Sequence, residues 1–250
     1  MRLVFGLLAF TAACSGDDGN MFPVGGGGND GGFQLPDGGG GGGGADAARD
    51  AAADATPLAV DAALFDGRVC LLTDIRDFET CASTGAGGLT VRLGTSTATT
   101  AADGRFTIAA QTGTGLVWRV TGPSIVSSYE PLADYFIPTM LKTDFDAMRA
   151  ASAVTLVPGE GSMMVFVSRN GAGVSGITAT SSAAFYKPFY DGATEFAFTQ
   201  TSTMSAGVVW VPGLDVGNAT ISVFEGGPAP VGTASGPIFD GGVTFANIIL

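Results

Sequence analysis

The sequence contains no histidine. Histidine is the commonest general base and a usual zinc ligand, so its absence excludes His-dependent catalytic triads and leaves zinc with few donors. Cations are also scarce, because 11 Lys and Arg stand against 23 Asp and Glu, for a formal net charge of −12. The arginines are scattered singly, so we expect no nucleic-acid partner. The acidity indicates solubility at a surface; the alternative, calcium loading, lacks an Asp-x-Asp-x-Asp-Gly loop.

Motifs that would indicate an enzyme are also missing. No serine stands in G-x-S-x-G, and no glycine run leads into a lysine-containing phosphate loop. Two carboxylate pairs, Asp74 with Asp77 and Asp144 with Asp146, fall in a loop and at a helix start, where solvated charge is their expected role. The sequence therefore predicts a non-enzymatic protein without metal or cofactor, and a hydrolase is the alternative.

No hydrophobic run at the start of the chain is long enough to span a bilayer. Arg2 precedes an apolar run over residues 3–10 and small residues up to Ala13, a pattern typical of a signal peptide over residues 1–13. The following Cys14 resembles the lipidated cysteine of the bacterial lipoprotein lipobox, although Thr11 stands where that family usually has Leu. The resemblance implies a lipid anchor on Cys14, and Ser15 after it implies sorting to the outer membrane. Ordinary cleavage near Ala13 is the alternative.

Residues 14–57 are dominated by glycine, alanine and aspartate. Glycine maximises backbone freedom and offers nothing to bury, so no core can form there. This stretch is predicted to be a disordered linker between a membrane anchor and the folded part.

Two cysteines remain once Cys14 is assigned to the lipid. Cys70 and Cys81 lie 11 positions apart in a chain with an export signal. Exported proteins meet oxidising conditions, so a disulfide between these two residues is expected.

The folded part shows the period-two alternation of β-strands. Leu89, Val91 and Leu93 point one way, and Phe106 resumes the alternation after the turn residues Asp103-Gly104. This pattern predicts a hairpin over residues 88–109. Trp118 and Trp210 are in phase with apolar neighbours and are assigned to the core, with sugar stacking as the alternative.

The strand pattern occurs in two segments, 58–142 and 153–250, each predicted to be a β-sandwich domain. A short helix over 143–152 is predicted between them, with Phe145 and Met148 packing on one of the domains. In the second segment Asn170-Gly171 indicates a turn. Residues 207–213 and 219–224 are predicted to form a closing hairpin.

The stretch T-x-A-D-G-R-F-T-I at residues 100–108, after a Gly-x-Val strand at residues 67–69, resembles the carboxypeptidase regulatory-like or transthyretin-like sandwich. The resemblance implies an all-β fold with two Greek-key, prealbumin-like sandwiches. The zinc-binding histidines of the associated peptidases are missing. Related adhesin repeats carry Lys–Asn isopeptide bonds, but neither lysine, Lys142 or Lys187, lies clearly within a strand.

One aromatic cluster is the candidate binding site. It consists of Phe185, Tyr186, Phe189 and Tyr190, interrupted by a proline. Such rings can stack on sugars or anchor a protein partner, and the alternative is that they close the end of a core. Taken together, we expect a lipid-anchored cell-envelope module with a structural or adhesive role, or alternatively a carbohydrate- or protein-binding one. The expected partners are the membrane and a glycan or envelope protein.

Overall fold

The computed structural model describes residues 63–78, 80–131, 136–182, 184–195 and 197–250. The predicted signal peptide, the lipidation site Cys14 and the Gly-rich linker lie outside them. Along the described chain the strands are β1 (Leu64–Leu71), β2 (Thr90–Leu93), β3 (Ser96–Thr99), β4 (Arg105–Ala109), β5 (Val117–Thr121), β6 (Ser128–Pro131), β7 (Phe136–Thr139), β8 (Glu160–Arg169), β9 (Ala172–Gly173), β10 (Ile177–Ser181), β11 (Phe189–Tyr190), β12 (Val208–Asp215), β13 (Gly217–Glu225), β14 (Gly232–Ile238) and β15 (Val243–Ile249). One helix, α1 (Lys142–Ala151), stands between β7 and β8. The predicted all-β sandwich fold is confirmed.

The strands form three sheets. A first outer sheet has the order β4-β1-β7, and a second outer sheet has the order β10-β13-β14. The central sheet has nine strands, in the order β11-β12-β8-β15-β6-β5-β2-β3, with β9 paired to β8. The central sheet thus contains strands from both predicted domain segments.

The two segments meet at β15. This strand runs parallel to β6, with Val243 opposite Ser128, and parallel to β8, with Val243 opposite Ser162. The described residues fall within one compact unit, Thr56–Leu250. The division into domains 58–142 and 153–250 stays a prediction, and what the structure shows is a shared sheet.

The first core lies between the first outer sheet and strands β2, β3 and β5 of the central sheet. Val91, Leu93 and Trp118 of the central sheet and Ile137 of β7 are fully buried in it. The indole of Trp118 packs edge-on against Phe106, with ring centroids 5.6 Å apart. The predicted alternation and the core position of Trp118 are therefore confirmed.

The predicted pairing of that first hairpin is wrong. β2 pairs with β3 through the turn at Gly94 (φ +57°) and with β5, whereas β4 pairs with β1 in the first outer sheet. Gly104 does make a turn, with φ +83°. This turn lies between β3 of the central sheet and β4 of the first outer sheet, so it does not connect two paired strands. β2 and β4 face each other across a core, so both show the same alternation without sharing hydrogen bonds.

β8 is buried on both faces, and its side chains alternate between two further cores. Met163, Val165 and Val167 face the second outer sheet, while Met164 and Phe166 face the opposite side. A continuous apolar run is the expected sequence pattern for a strand covered on both faces.

Helix α1 and the loop closed by Cys70 and Cys81 cover that opposite side. Phe145 and Met148 of the helix are buried there, as predicted from their spacing, together with Trp210 of β12. The ring of Phe145 meets the Trp210 indole edge-on, with centroids 6.3 Å apart. The core position predicted for Trp210 is confirmed.

Two predicted turns in the second segment have different outcomes. Asn170 and Gly171 have φ of +54° and +77° and connect β8 to β9, which confirms the turn. The predicted hairpin of β12 and β13 is wrong, because β12 pairs with β8 and β11 while β13 pairs with β10 and β14. The chain passes from the central sheet to the second outer sheet at Gly217.

Candidate functional site

The disulfide between Cys70 and Cys81 is present and closes the loop that follows β1. The two Cα atoms are 5.0 Å apart, and Leu72 and Cys81 form an isolated antiparallel bridge. Ile75 and Phe78 within the loop are buried in the core beneath helix α1. The sequence analysis treated this loop as a charged, solvated stretch and missed that two of its apolar side chains belong to a core.

The charged residues of the loop form an ordered ion pair. Arg76 donates from Nε to Asp74 Oδ1 at 2.9 Å and from Nη2 to Asp74 Oδ2 at 2.5 Å. The hydrogen bond to Asp74 raises the pKa of Arg76. Burial alone would raise the pKa of Asp74, but the hydrogen bonds and charge of Arg76 outweigh it and hold that pKa below its usual value. The other predicted carboxylate, Asp77, accepts a hydrogen bond from the hydroxyl of Thr80 at 2.5 Å.

Asp191 is a carboxylate that the sequence analysis did not single out, and it is only 1% exposed. Its oxygens accept hydrogen bonds from three backbone N–H groups, those of Met204 (3.1 Å), Ala206 (3.2 Å) and Val208 (3.1 Å). Burial raises the pKa of Asp191, and these backbone bonds oppose the rise. The residue ties the loop before β12 to the end of β11, which is a structural role.

The first two of the four aromatic candidates, Phe185 and Tyr186, lie at the protein surface. Phe185 is 79% exposed, and its ring meets that of Tyr186 edge-on at 5.1 Å. Tyr186 is half-buried, and its hydroxyl donates to the carbonyl of Thr155 at 3.0 Å and accepts from the Thr155 N–H at 3.2 Å. These two rings therefore lie together at the surface, and the hydrogen bonds to Thr155 hold the Tyr186 ring in place.

The other two candidates turn inward. Phe189 packs on Trp210, with centroids 5.3 Å apart, and Tyr190 is buried in the core that faces the second outer sheet. The Tyr190 hydroxyl accepts a hydrogen bond from the N–H of Ala179 at 2.8 Å. The structure thus brings Phe185 and Tyr186 into contact, places Tyr186 and Phe189 against the core beneath helix α1, and buries Tyr190 in the other core. A binding role for the cluster stays a prediction.

The structure also bears on the possible metal ligands, the two lysines and the possible membrane-spanning helices. Among the residues that the structure describes, no group of three or more His, Cys, Asp or Glu could hold a metal ion. Lys142 starts helix α1 and its Nζ binds Asp146 Oδ2 at 2.7 Å, while Lys187 lies exposed in the aromatic segment. Within the same described ranges, no helix has the length and apolar character to cross a bilayer.

Sequence reasoning also missed Glu130. This residue lies in β6 and is only 5% exposed, yet it lines a cavity of about 270 Å³ together with Phe78, Phe166 and Phe245. In the sequence, Glu130 stands between Tyr129 and Pro131 and has no feature that distinguishes it from a surface glutamate. Its position becomes visible only when four separate segments are brought together.

These features define an all-β sandwich protein with a disulfide-closed loop. No protein-family model matches the sequence. No curated protein matches it either.

Matches to solved structures are remote. The minor pilin GBS52 of the Gram-positive pathogen Streptococcus agalactiae matches at 10% identity and TM-score 0.27, over 74% of this chain and 94% of that one. The Bacillus anthracis TIE protein matches at 11% identity and TM-score 0.26, over 64% of this chain and 24% of that one. A streptococcal ancillary pilin matches at 11% identity and TM-score 0.22, over 74% and 68% of the two chains. These TM-scores are too low to assign topology or function.

Proposed function

We propose that this chain is a non-enzymatic structural or adhesive module of the cell envelope, held on the outer membrane by a lipid on Cys14. The observation that carries the proposal is the parallel pairing of β15 with both β6 and β8. Because of this pairing, strands of both segments belong to one sheet, and apolar side chains cover both faces of β8. The two parts of the sheet cannot separate without breaking these backbone hydrogen bonds and exposing apolar surface.

A module of this kind holds its surface in a fixed geometry. The Cys70–Cys81 bridge adds a covalent constraint on the loop that covers the sheet. Disulfides of this type suit a protein outside the reducing cytoplasm. The lipobox resemblance at Cys14 and the glycine-rich stretch after it support a tethered position on the membrane. The transthyretin-like classification of the sandwiches belongs to the same proposal and rests on the turn motif at residues 100–108.

Palmitate labelling of the full-length chain in bacterial cells tests the anchor. We expect label to follow the protein into the membrane fraction, and Cys14→Ala to abolish both label and membrane association. Ser15→Ala is the matched control, because it changes the neighbouring residue and leaves both Cys14 and the Cys70–Cys81 disulfide in place. Label that persists in Cys14→Ala would overturn the anchor.

Attachment of cells that display the full-length chain tests the adhesive role. Displaying cells should adhere to polymer- or protein-coated surfaces more strongly than cells that release the Cys14→Ala variant. A clear turnover in a screen of esters, glycosides and peptides would contradict the non-enzymatic proposal.

A second candidate function is binding of a glycan or protein at the Phe185–Tyr186 pair. The specific observation in its favour is the exposure of Phe185 beside a tyrosine whose hydroxyl is fixed by Thr155. An exposed aromatic ring next to a second ring that is held in place suits stacking on sugars. On a polysaccharide array, Phe185→Ala should remove binding, and Leu64→Ala, which shortens an exposed apolar side chain elsewhere, should not. Equal binding by both variants would end this candidate.

A further inference from the structure

Two arginines lie side by side on the outward face of the central sheet. Arg92 of β2 is directly opposite Arg119 of β5, and Arg119 is directly opposite Tyr129 of β6. Opposite residues of antiparallel strands point to the same face, with Cβ atoms about 5 Å apart. Both arginines are exposed, whereas their neighbours along the two strands are buried in the first core. The fold therefore pairs two arginines that are far apart in the sequence.

This arginine pair has no carboxylate of its own. Like charges directly opposite each other destabilise a sheet, and a nearby anion offsets that cost. A second cross-strand pair, Arg68 with Arg105, has such an anion, because Asp103 forms an ion pair with Arg105 at 3.3 Å. Neither Arg92 nor Arg119 belongs to an ion pair within the part of the chain that the structure describes. An anion from outside the chain would offset the repulsion between them.

Both guanidinium groups are held in position by contacts that leave donors for a ligand. Arg92 donates from Nε to the carbonyl oxygen of Gly94 at 2.8 Å. The guanidinium carbon of Arg119 lies 5.6 Å from the centroid of the Tyr129 ring, a cation–π contact. A guanidinium group has five N–H donors, and it binds a carboxylate through two parallel hydrogen bonds. The two side chains can therefore bind one carboxylate together.

A groove leads from the arginine pair toward the second outer sheet. The arginines line a cavity of about 220 Å³ with Tyr129 and Phe239, and a second cavity of about 630 Å³ adjoins it. Gly94, Val117 and Phe239 line both cavities. The ring of Phe239 is half-buried and stacks on Tyr129, with centroids 3.8 Å apart. Apolar and small polar side chains complete the second cavity: Leu116, Pro131, Asn218, Ser235 and Pro237.

We propose that this site binds an acidic glycan, with the carboxylate of a uronic acid on Arg92 and Arg119 and the neighbouring sugars in the groove. The C–H faces of sugar rings can pack on Phe239 and the two prolines. The side chains of Asn218 and Ser235 can form hydrogen bonds with sugar hydroxyls. The charged end and the mixed walls of the groove thus match the two parts of such a ligand.

The charges of the protein favour a ligand with few carboxylates. Among the described residues that line the two cavities, Arg92 and Arg119 are the only cations. The net charge of −12 repels a polyanion such as an acidic peptide or a nucleic acid. A glycan in which a uronic acid is separated by neutral sugars meets both conditions. The site shares no residue with the Phe185–Tyr186 pair and does not depend on the lipid at Cys14.

Calorimetric titration of the full-length protein tests the site. The probes are a hyaluronan tetrasaccharide and glucuronosyl-xylotriose, and the controls are the methyl esters of both, sodium acetate and triglutamate. We expect saturable binding of at least one acidic oligosaccharide and binding of its methyl ester that is weaker by about tenfold or more. Acetate or triglutamate binding as tightly as the oligosaccharides would contradict a glycan ligand.

Variants assign the binding to the arginine pair. Arg92→Gln and Arg119→Gln should each weaken oligosaccharide binding about tenfold or more. Arg105→Gln is the matched control, because it changes an exposed arginine of the other cross-strand pair and should leave binding unchanged. Arg92→Gln also removes the repulsion between like charges, so its midpoint in urea should not fall below that of the native protein. Unchanged binding in the Arg92 and Arg119 variants, or no saturable binding of either oligosaccharide, would overturn the proposal.

Discussion

Arg76 donates a hydrogen bond of 3.1 Å from Nη1 to the carbonyl oxygen of Gly192, 116 residues further along the chain. Gly192 directly follows Asp191, whose carboxylate holds the loop that leads into β12. The disulfide-closed loop after β1 is thereby tied to a segment of the other half of the chain. The bond adds to the connection that β15 makes between the same halves.

Removing the disulfide should destabilise the protein strongly. The bridge closes a loop of about a dozen residues, for which chain-entropy arguments give a contribution of about 3 kcal/mol to the free energy of unfolding. Cys70→Ser with Cys81→Ser should lose about that amount in urea denaturation. Dithiothreitol should lower the stability of the native protein toward that of the double variant and leave the double variant unaffected. No response to reductant in the native protein would contradict the prediction.

The carboxylates Asp74 and Asp191 should give opposite pH dependences. The pKa of Asp191 is raised in the folded state, so its contribution to stability is complete below the unfolded pKa of about 3.9 and is lost as pH rises through the folded pKa. The pKa of Asp74 is lowered, so its contribution is present above the unfolded value and is lost as pH falls through the folded pKa.

Urea denaturation of Asp74→Asn and Asp191→Asn between about pH 3 and pH 7 measures this difference. The difference in free energy of unfolding between the native protein and Asp191→Asn should shift against the native protein as pH rises. The corresponding difference between the native protein and Asp74→Asn should shift in favour of the native protein. Slopes of the same sign for both variants would show that one of the two assignments is wrong.

Helix α1 should unfold together with the sheets. Phe145→Ala removes a buried ring that contacts Trp210, and should cost about 3 kcal/mol or more in the free energy of unfolding. Thr143→Ala on the exposed side of the same helix should change it by less than about 0.5 kcal/mol. Circular dichroism and tryptophan fluorescence should report the same transition, and a separate helix transition would contradict the packing described.

The four aromatic residues of the candidate site should separate into two classes. Tyr190→Ala should cost about 3 kcal/mol or more because it opens a cavity in a core, and Tyr190→Phe about 1 kcal/mol because it removes the hydrogen bond from Ala179. Phe185→Ala should leave stability within about 0.5 kcal/mol. Thermal denaturation of the three variants measures this order, and a stable Tyr190→Ala variant would refute the assignment of Tyr190 to the core.

Burial was the property best predicted from the sequence. Alternation in β2 and the apolar phase of Trp118 and Trp210 indicate which side chains face inward, and all of these are buried. Alternation of apolar and polar residues indicates which face of a strand is buried, but it does not indicate which other strand is its hydrogen-bonded neighbour. For this reason β2 and β4, and likewise β12 and β13, were predicted as hairpins although each pair lies in two different sheets.

The cover on the second face of β8 could not be predicted in the same way. Met163 to Val167 form a continuous apolar run, which indicates that both faces are buried but not what buries them. The cover comes from helix α1 and from Ile75 and Phe78, which lie in a loop where four of the ten residues between the two cysteines are charged. Glu130 escaped notice for a similar reason, because its environment is made by residues distant in sequence.

The position of β15 has a consequence for biosynthesis. β15 follows the other described strands in the chain, yet it occupies a place between β8 and β6. While the ribosome is still adding residues 243–249, the hydrogen-bonding edges of β6 and β8 have no neighbour there, and contacts so distant in sequence form slowly. The central sheet therefore stays incomplete until residues 243–249 have been synthesised.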